Sequence, residues 1–298
     1  MKIFLAGATG VIGHLLLPLL VEAGHEVAGT TRRPDRLEQI AAAGARPVLA
    51  DALDREAVFA ALAAKRPDAV LHQLTDLSGR DFAANARLRV EGTRNLVDAA
   101  LAVGVGRMIA QSIAWIYAPG RGPAREEEPL DLAAPPPRGP TVAAVWALER
   151  AVAELPVGVS LRYGLLYGPG TWYARSGLVT EQVRRGELAA TDGVTSFLHV
   201  ADAAGAALAA LAWPAGPLNI VDDEPAAGVD WLPLYARLVG APPPPVRPGA
   251  AGWERGASNA RVRQLGWRPR YPSWRDGFAT VLGAGPSGGE PAGSPGRP

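Results

Sequence analysis

The sequence predicts an α/β protein: a doubly wound parallel sheet with a smaller substrate lobe interleaved into its C-terminal half. Three observations lead there. Short apolar runs alternate with helical stretches through the first half of the chain, glycines 7, 10 and 13 directly follow the first apolar run, and the alternation loosens after Tyr167 into turns, tryptophans and prolines. Parallel strands require long crossovers, usually helices, so a repeated strand-then-helix pattern selects a parallel sheet over a sandwich or a bundle.

In order, "KIFLAG" reads as a strand and is followed by a helix to Ala23; "HEVAGTTR" is a second strand with a helix over 35–43; "RPVLADA" is a third with a helix over 54–64. "AVLHQL" leads into a long helical stretch over about 81–103, "RMIAQS" and "GVSLRY" are two more short apolar strands, and a helix is expected over 141–155. "FLHVADAAGAALAAL" and "GPLNIVDD" return to the sheet pattern. The expected organisation is a dinucleotide-binding core over 1–167 joined by 197–224, a substrate lobe from 168–196 and 225–284, and a disordered tail over 285–298. The tail is rich in Gly, Pro and Ser and has no apolar periodicity with which to order itself.

The totals narrow the function. The chain of 298 residues is long enough to bury a sizeable core, and thirty basic against twenty-nine acidic residues leave no basic block for nucleic acid or a membrane surface. There is no cysteine, which excludes disulfides, thiolate nucleophiles and sulfur-ligated zinc, and no metal site is expected. Glycines 7, 10 and 13 and Pro18 interrupt the apolar N-terminal stretch, so it reads as strand, turn and helix rather than a signal peptide. No stretch is long and apolar enough to span a membrane. The expectation is a cytoplasmic protein acting on a small molecule.

"FLAGATGVIGHLL" sits at the first strand-to-helix junction of a Rossmann-like alternation. There Gly7 permits a tight turn, Gly10 lets the backbone approach a pyrophosphate, and Gly13 lets helix and sheet pack closely. The G-x-x-G-x-x-G spacing, together with "DALD", "AVLHQL", "EGTRNLVDAA", "LRYGLLYGPG" and "SNARVRQLGWRPRY" in that order, resembles the extended short-chain dehydrogenases/reductases, the NAD-dependent epimerase/dehydratase family, from Lys2 to about Phe278. The resemblance implies that Thr9, Val11, Ile12 and Tyr163 also contact the cofactor, with Asp51 and Ala52 at the adenine edge and Leu74 beside the ribose. In that family the second strand commonly ends in an acidic residue for the ribose hydroxyls. Here Thr31 holds that place, followed by Arg32 and Arg33. A carboxylate repels a 2′-phosphate whereas a guanidinium binds one, so NADP is expected over NAD.

The resemblance also exposes a gap. Family members that oxidise or reduce a carbon use a tyrosine, a lysine four residues later and a polarising Ser or Thr; the matching positions here are Thr141, Val145 and Ile113. No Tyr-x-x-x-Lys occurs anywhere in the chain, while Glu149 falls where the family's helix usually carries a glutamate. Hydride transfer to a carbonyl leaves an alkoxide that needs a proton near neutral pH, and neither Thr nor Val supplies one. Tyr117, at the carboxyl end of the fifth strand, and Ser112 are the expected catalytic candidates. Tyr163, Tyr167, Tyr173 and His199 are the other ionisable candidates nearby; for His199 a core or supporting role is favoured over a general base, and Asp202 is expected to cap or orient that region.

On the substrate side, the family asparagine that holds nucleotide sugars aligns with Leu165. Trp115, Trp146, Trp172, Tyr173 and Phe197 come from segments expected to border the cleft, with Thr141, Tyr167 and His199 beside them, and aromatic walls suit a hydrophobic or aromatic ligand. The leading expectation is an atypical NADP(H)-dependent oxidoreductase acting on a hydrophobic carbonyl. The alternatives are a non-redox isomerase, dehydratase or cyclase, or a non-catalytic dinucleotide-sensing protein. The apolar faces over 82–103 and 141–155 match elements that form a four-helix contact in relatives, so a homodimer is expected.

Overall fold

In strand β1 (Lys2–Ala6) four consecutive side chains are buried, the pattern of a strand covered on both faces rather than on one. Ile3 and Leu5 enter a core with Leu16 and Leu20, whereas Phe4 and Ala6 enter a second with Leu62, Leu96 and Met108. The structure, a computed structural model, describes residues 1–77 and 81–283. The tail expected over 285–298 lies outside the described residues.

The first half runs β1, α1 (Gly13–Glu22), β2 (Glu26–Thr31), α2 (Leu37–Ala42), β3 (Arg46–Leu49), α3 (Arg55–Lys65), β4 (Ala69–His72), α4 (Phe82–Arg87), α5 (Thr93–Ala102), β5 (Arg107–Ile113), α6 (Arg138–Val152) and β6 (Val157–Tyr163). Two boundaries differ from expectation. The long helix over 81–103 is broken by a π turn at Leu88–Gly92, and the helix expected over 141–155 starts at Arg138 and ends at Val152.

The second half runs β7 (Leu165–Tyr167), α7 (Leu178–Arg184), β8 (Val194–Thr195), β9 (Phe197–His199), α8 (Val200–Ala209), β10 (Gly216–Ile220), β11 (Ala226–Ala227), α9 (Gly228–Leu238), α10 (Ala260–Gln264) and α11 (Trp274–Gly283). The large sheet has seven parallel strands in the order β10-β6-β5-β4-β1-β2-β3. Its order reverses between β1 and β4, and ligands bind at such a switch point, outside the carboxyl ends of the strands.

The chain leaves the large sheet at Gly164. A Cβ there would lie 2.7 Å from the Ser196 carbonyl oxygen, so only glycine lets β7 pass and pair in parallel with β9. Of the 197–224 span, β10 therefore joins the large sheet and α8 packs on its face, while Phe197–His199 pairs with the lobe strand instead. This places Tyr167 and Phe197, expected on the cleft wall, in the lobe's own core. Both are fully buried with Tyr235, Trp274 and Phe278, and Phe197 meets Phe278 edge to face at 4.9 Å.

Candidate active site

A cleft of about 530 Å³ opens at the switch point. Gly7 stands at a φ of 90° with its α-carbon pressed against the Gln73 carbonyl, 2.9 Å from where a Cβ would be. A Cβ on Gly13 would lie 2.0 Å from the Gly7 carbonyl oxygen, so Gly13 allows α1 to start directly behind the turn. No side chain caps α1; the His14 and Leu15 N–H groups are taken by the Gly10 and Ile12 carbonyls, while those of Val11, Ile12 and Gly13 bond no described residue and lie beside the cleft wall formed by Thr9, Gly10, Val11 and Ile12. The turn, whose backbone Gly7, Gly10 and Gly13 leave approachable, fits a pyrophosphate. The Gln73 amide, buried on the same wall, has neither polar atom hydrogen-bonded at regular geometry, and such a group is satisfied by a polar ligand.

Thr31, Arg32, Arg33, Asp51, Ala52 and Leu74 all line this cleft. The Thr31 hydroxyl accepts from the Arg33 N–H at 3.1 Å, which fixes the turn that carries both arginines. Arg32 is half exposed and pairs with Asp76 at 3.1 Å, while Arg33 pairs with Asp35 at 2.8 Å. Asp51 accepts from the Leu53 N–H. The Leu74 N–H donates to His72 Nδ1, and His72 Nε2 bonds the Thr93 hydroxyl at 2.9 Å. Burial holds the His72 pKa down, to about 4, so the ring is neutral with its proton on Nε2. Tyr163 borders the cleft; its hydroxyl donates to the Ala203 carbonyl and lies beside the Gln73 amide.

At the end where the family places its proton-transfer groups, the structure holds a closed network instead. Arg162 on β6 makes a bidentate pair with Glu149 on α6, Nε to Oε1 at 2.8 Å and Nη2 to Oε2 at 2.6 Å. Its Nη1 donates to the Tyr117 hydroxyl at 2.7 Å, and that hydroxyl donates to Asn219 Oδ1 at 2.6 Å. Ser112 donates to Glu149 Oε1 at 2.7 Å. Both expected catalytic hydroxyls are thus engaged in this network. Tyr117 is buried, its hydroxyl is filled on both sides, and burial raises its pKa to about 12; its ring borders only a side chamber of about 320 Å³ that shares Trp115, Gly164 and Leu165 with the cleft. Ser112 reaches the cleft wall with its one proton already committed to Glu149, so it can accept there but not donate.

The helix α6 is bland because its inner face is packing. Val145, in the lysine's place, is fully buried with Ile116 and Val142. Thr141 does line the cleft, and its hydroxyl bonds no described residue. Trp115, Trp172 and Tyr173 line the cleft. Trp146 does not: it is exposed, with the Arg150 guanidinium over its ring. His199 lies in a supporting position rather than on the cleft wall. Its Nδ1 caps α8 by accepting from the Ala201 N–H, the ring stacks on Tyr271 with centroids 4.0 Å apart, and burial holds its pKa down to about 4. Asp202 accepts from the Arg270 and Tyr271 N–H groups and so orients the loop against α8.

Among the polar wall residues that the sequence reading missed are Gln73, Asn85 and Arg89. Gln73 directly follows the "AVLH" strand, where the fold faces ligands. Asn85 accepts from the Asp76 N–H at 2.9 Å and so holds the partner of Arg32. Arg89, buried on the π turn, also lines the cleft. Among the described residues no cluster of metal-ligating side chains occurs, and no helix is long and apolar enough to cross a membrane.

The profile of the NAD dependent epimerase/dehydratase family matches residues 3–220, and the chain belongs to that family. It is an enzyme, similar to reductases. It is 50% identical over 305 aligned residues to a 3-diazoavenalumate denitrifying reductase from Streptomyces sp, spanning 93% of this chain and 99% of that protein. It is 29% identical over 202 residues to a 2-alkyl-3-oxoalkanoate reductase from Stenotrophomonas maltophilia strain K279a, covering 63% of this chain and 57% of that protein. The fold matches the Thermus thermophilus UDP-glucose 4-epimerase in complex with NAD with a TM-score of 0.73 at 24% identity, over 95% of this chain and 98% of that one.

Proposed function

We propose that the protein is an NADPH-dependent reductase that replaces the diazo group of an aromatic substrate by hydride. The observation that carries this reading is a cleft with a dinucleotide cradle at one end and, at the other, neither the family's tyrosine–lysine pair nor a free Tyr117 or Ser112: those two are committed to the Arg162 network, and Val145 is core. Reduction of a ketone leaves an alkoxide and is poorly served by such a site. An aryl diazonium needs no proton. A reduced nicotinamide bound there would supply hydride: a C–H bond would form at the ring carbon, the C–N bond would break with its electron pair leaving on dinitrogen, and the positive charge would pass to the oxidised nicotinamide ring. The 50% identity to a denitrifying reductase of a diazo compound supports this over the hydrophobic carbonyl.

Within this reading Arg32 exchanges its half-exposed Asp76 partner for the 2′-phosphate of NADPH, and Thr31, lacking a carboxylate, does not repel it. The turn from Gly7 to Gly13 takes the pyrophosphate, Asp51 and Ala52 the adenine side and Leu74 the ribose. Trp115, Trp172, Tyr173 and Thr141 border the substrate, and Leu165 leaves no anchor for a nucleotide sugar. The protein works in the cytoplasm as a homodimer, a state supported by the exposed Val90, Leu101 and Trp146 on the π turn, α5 and α6; light scattering at tens of micromolar reads it directly, and a monomer rejects it. The reaction is tested with NADPH and 4-carboxybenzenediazonium: loss of NADPH absorbance above the enzyme-free rate, with dinitrogen and benzoate formed in equal amounts, supports the assignment. Turnover of ketones but not of the diazonium rejects it.

A further inference from the structure

The cleft holds three arginines among its described lining residues, and two of them are paired, Arg32 with Asp76 and Arg33 with Asp35. Arg89 differs. It is buried, yet it makes no ion pair or hydrogen bond with any described residue. Burial lowers its pKa to about 10, with no carboxylate acting in the opposite direction, and the ionisable group it acts on is the neutral His72. A guanidinium withdrawn from water without a counter-ion costs several kcal/mol, and such a residue is retained where something else supplies the negative charge.

The backbone accounts for its direction. Arg89 lies inside the π turn at Leu88–Gly92, and one extra residue in a turn rotates a side chain out of the helical pattern; such turns occur frequently at functional sites. Here its neighbour Val90 faces solvent while Arg89 faces in. The π turn packs against α6, the helix that carries Thr141, and Arg89 lines the same cleft as Thr141. The pyrophosphate turn and Arg32 belong to β1, α1 and β2, on the other arm of the switch point.

We infer that Arg89 is the anchor for an anionic group of the substrate, a carboxylate on an otherwise apolar aromatic molecule, which completes the missing ion pair when it binds. This rests on the proposed reductase reading for the identity of the substrate end, and it adds the chemical class that the site selects. Docking a carboxylate on Arg89 sets one end of the ligand, and the aromatic wall of Trp115 and Trp172 sets its plane.

Binding rather than turnover tests it, so the outcome does not depend on the diazo chemistry. Cinnamate and its neutral amide are titrated into the protein saturated with NADP⁺, followed by the fluorescence of the cleft tryptophans. The wild-type protein is expected to prefer cinnamate to the amide by at least about tenfold. Arg89→Gln is expected to abolish that preference, Arg89→Lys to restore part of it, and NADP⁺ affinity to stay within about twofold throughout. In the absence of ligand, Arg89→Leu is expected to melt no lower than wild type, since it removes an uncompensated buried charge, whereas a merely structural arginine would lower the melting point. Failure of the wild-type protein to prefer the carboxylate, a preference that survives in Arg89→Gln, or a tenfold loss of NADP⁺ affinity overturns the inference. If the preference follows Arg89 but no diazonium is reduced, the reductase reading fails alone.

Discussion

Two buried arginines face opposite fates in this molecule. Arg162, 4% exposed, is held by both oxygens of Glu149 and by Tyr117, while Arg89, 6% exposed, has no acid at all among the described residues. The first lies in the region where relatives run proton transfer, and it turns that region into a closed structural element. The second lies on a distorted helical turn and stays open toward the cleft. The difference teaches where to look for function: a satisfied buried charge holds the fold together, and an unsatisfied one awaits a ligand.

The largest expected effect breaks the satisfied side. Glu149→Leu leaves the Arg162 guanidinium buried without its counter-ion and is expected to cost about 3–5 kcal/mol in a urea melt. The double variant Glu149→Leu, Arg162→Met is expected to recover much of that loss, because no charge is then stranded. A cost below about 1 kcal/mol for the single change would mean that the network contributes nothing to the fold.

The cofactor end sharpens the contrast between exposed and buried arginines. Arg32→Glu is expected to weaken NADPH binding at least about tenfold and spare NADH. Equal loss for both cofactors would assign Arg32 to the fold through Asp76.

A pH experiment probes the floor beneath Arg89. The folded pKa of His72 is depressed from 6.5 to about 4, so the native state takes up a proton later than the unfolded chain. Its contribution is fully present above pH 6.5 and declines as the pH falls towards 4. By pH 5.5 wild-type protein is expected to lose about 1.4 kcal/mol that His72→Gln does not lose. Parallel melting curves for the two proteins across this range would show that His72 titrates as in water.

The smallest effect is the most informative about chemistry. Tyr117→Phe removes one hydroxyl from the Arg162 network and is expected to cost about 1 kcal/mol of stability. Activity on folded, cofactor-loaded enzyme is expected to stay within about threefold. A loss of about a hundredfold would return Tyr117 to the catalytic role that its position in sequence suggests.

The two ends of the cleft were unequally legible in the sequence. Gly7, Gly10 and Gly13 announce themselves because backbone rules for a strand–turn–helix junction are local, and the strand alternation carries the sheet with it. Glu149, Arg162 and Asn219 are far apart in sequence and meet only when α6, β6 and β10 assemble, so the occupation of Tyr117 and Ser112 is invisible before folding. Tyr167 and Phe197 read equally well as cleft or core, and what decides is the passage of the backbone at Gly164. Arg89 sits in "RLRVEG", which reads as an ordinary solvated helix, and its inward turn depends on a π geometry that no residue pattern signals.

In the proposed reaction hydride alone completes the reduction. The direct measurement is isotopic: reduction of 4-carboxybenzenediazonium with NADPH deuterated at the transferring position of C4 in ordinary water, and with unlabelled NADPH in D₂O. Benzoate is expected with deuterium at the carbon that lost dinitrogen in the first case and with none there in the second. Deuterium taken from D₂O at that carbon would contradict hydride transfer.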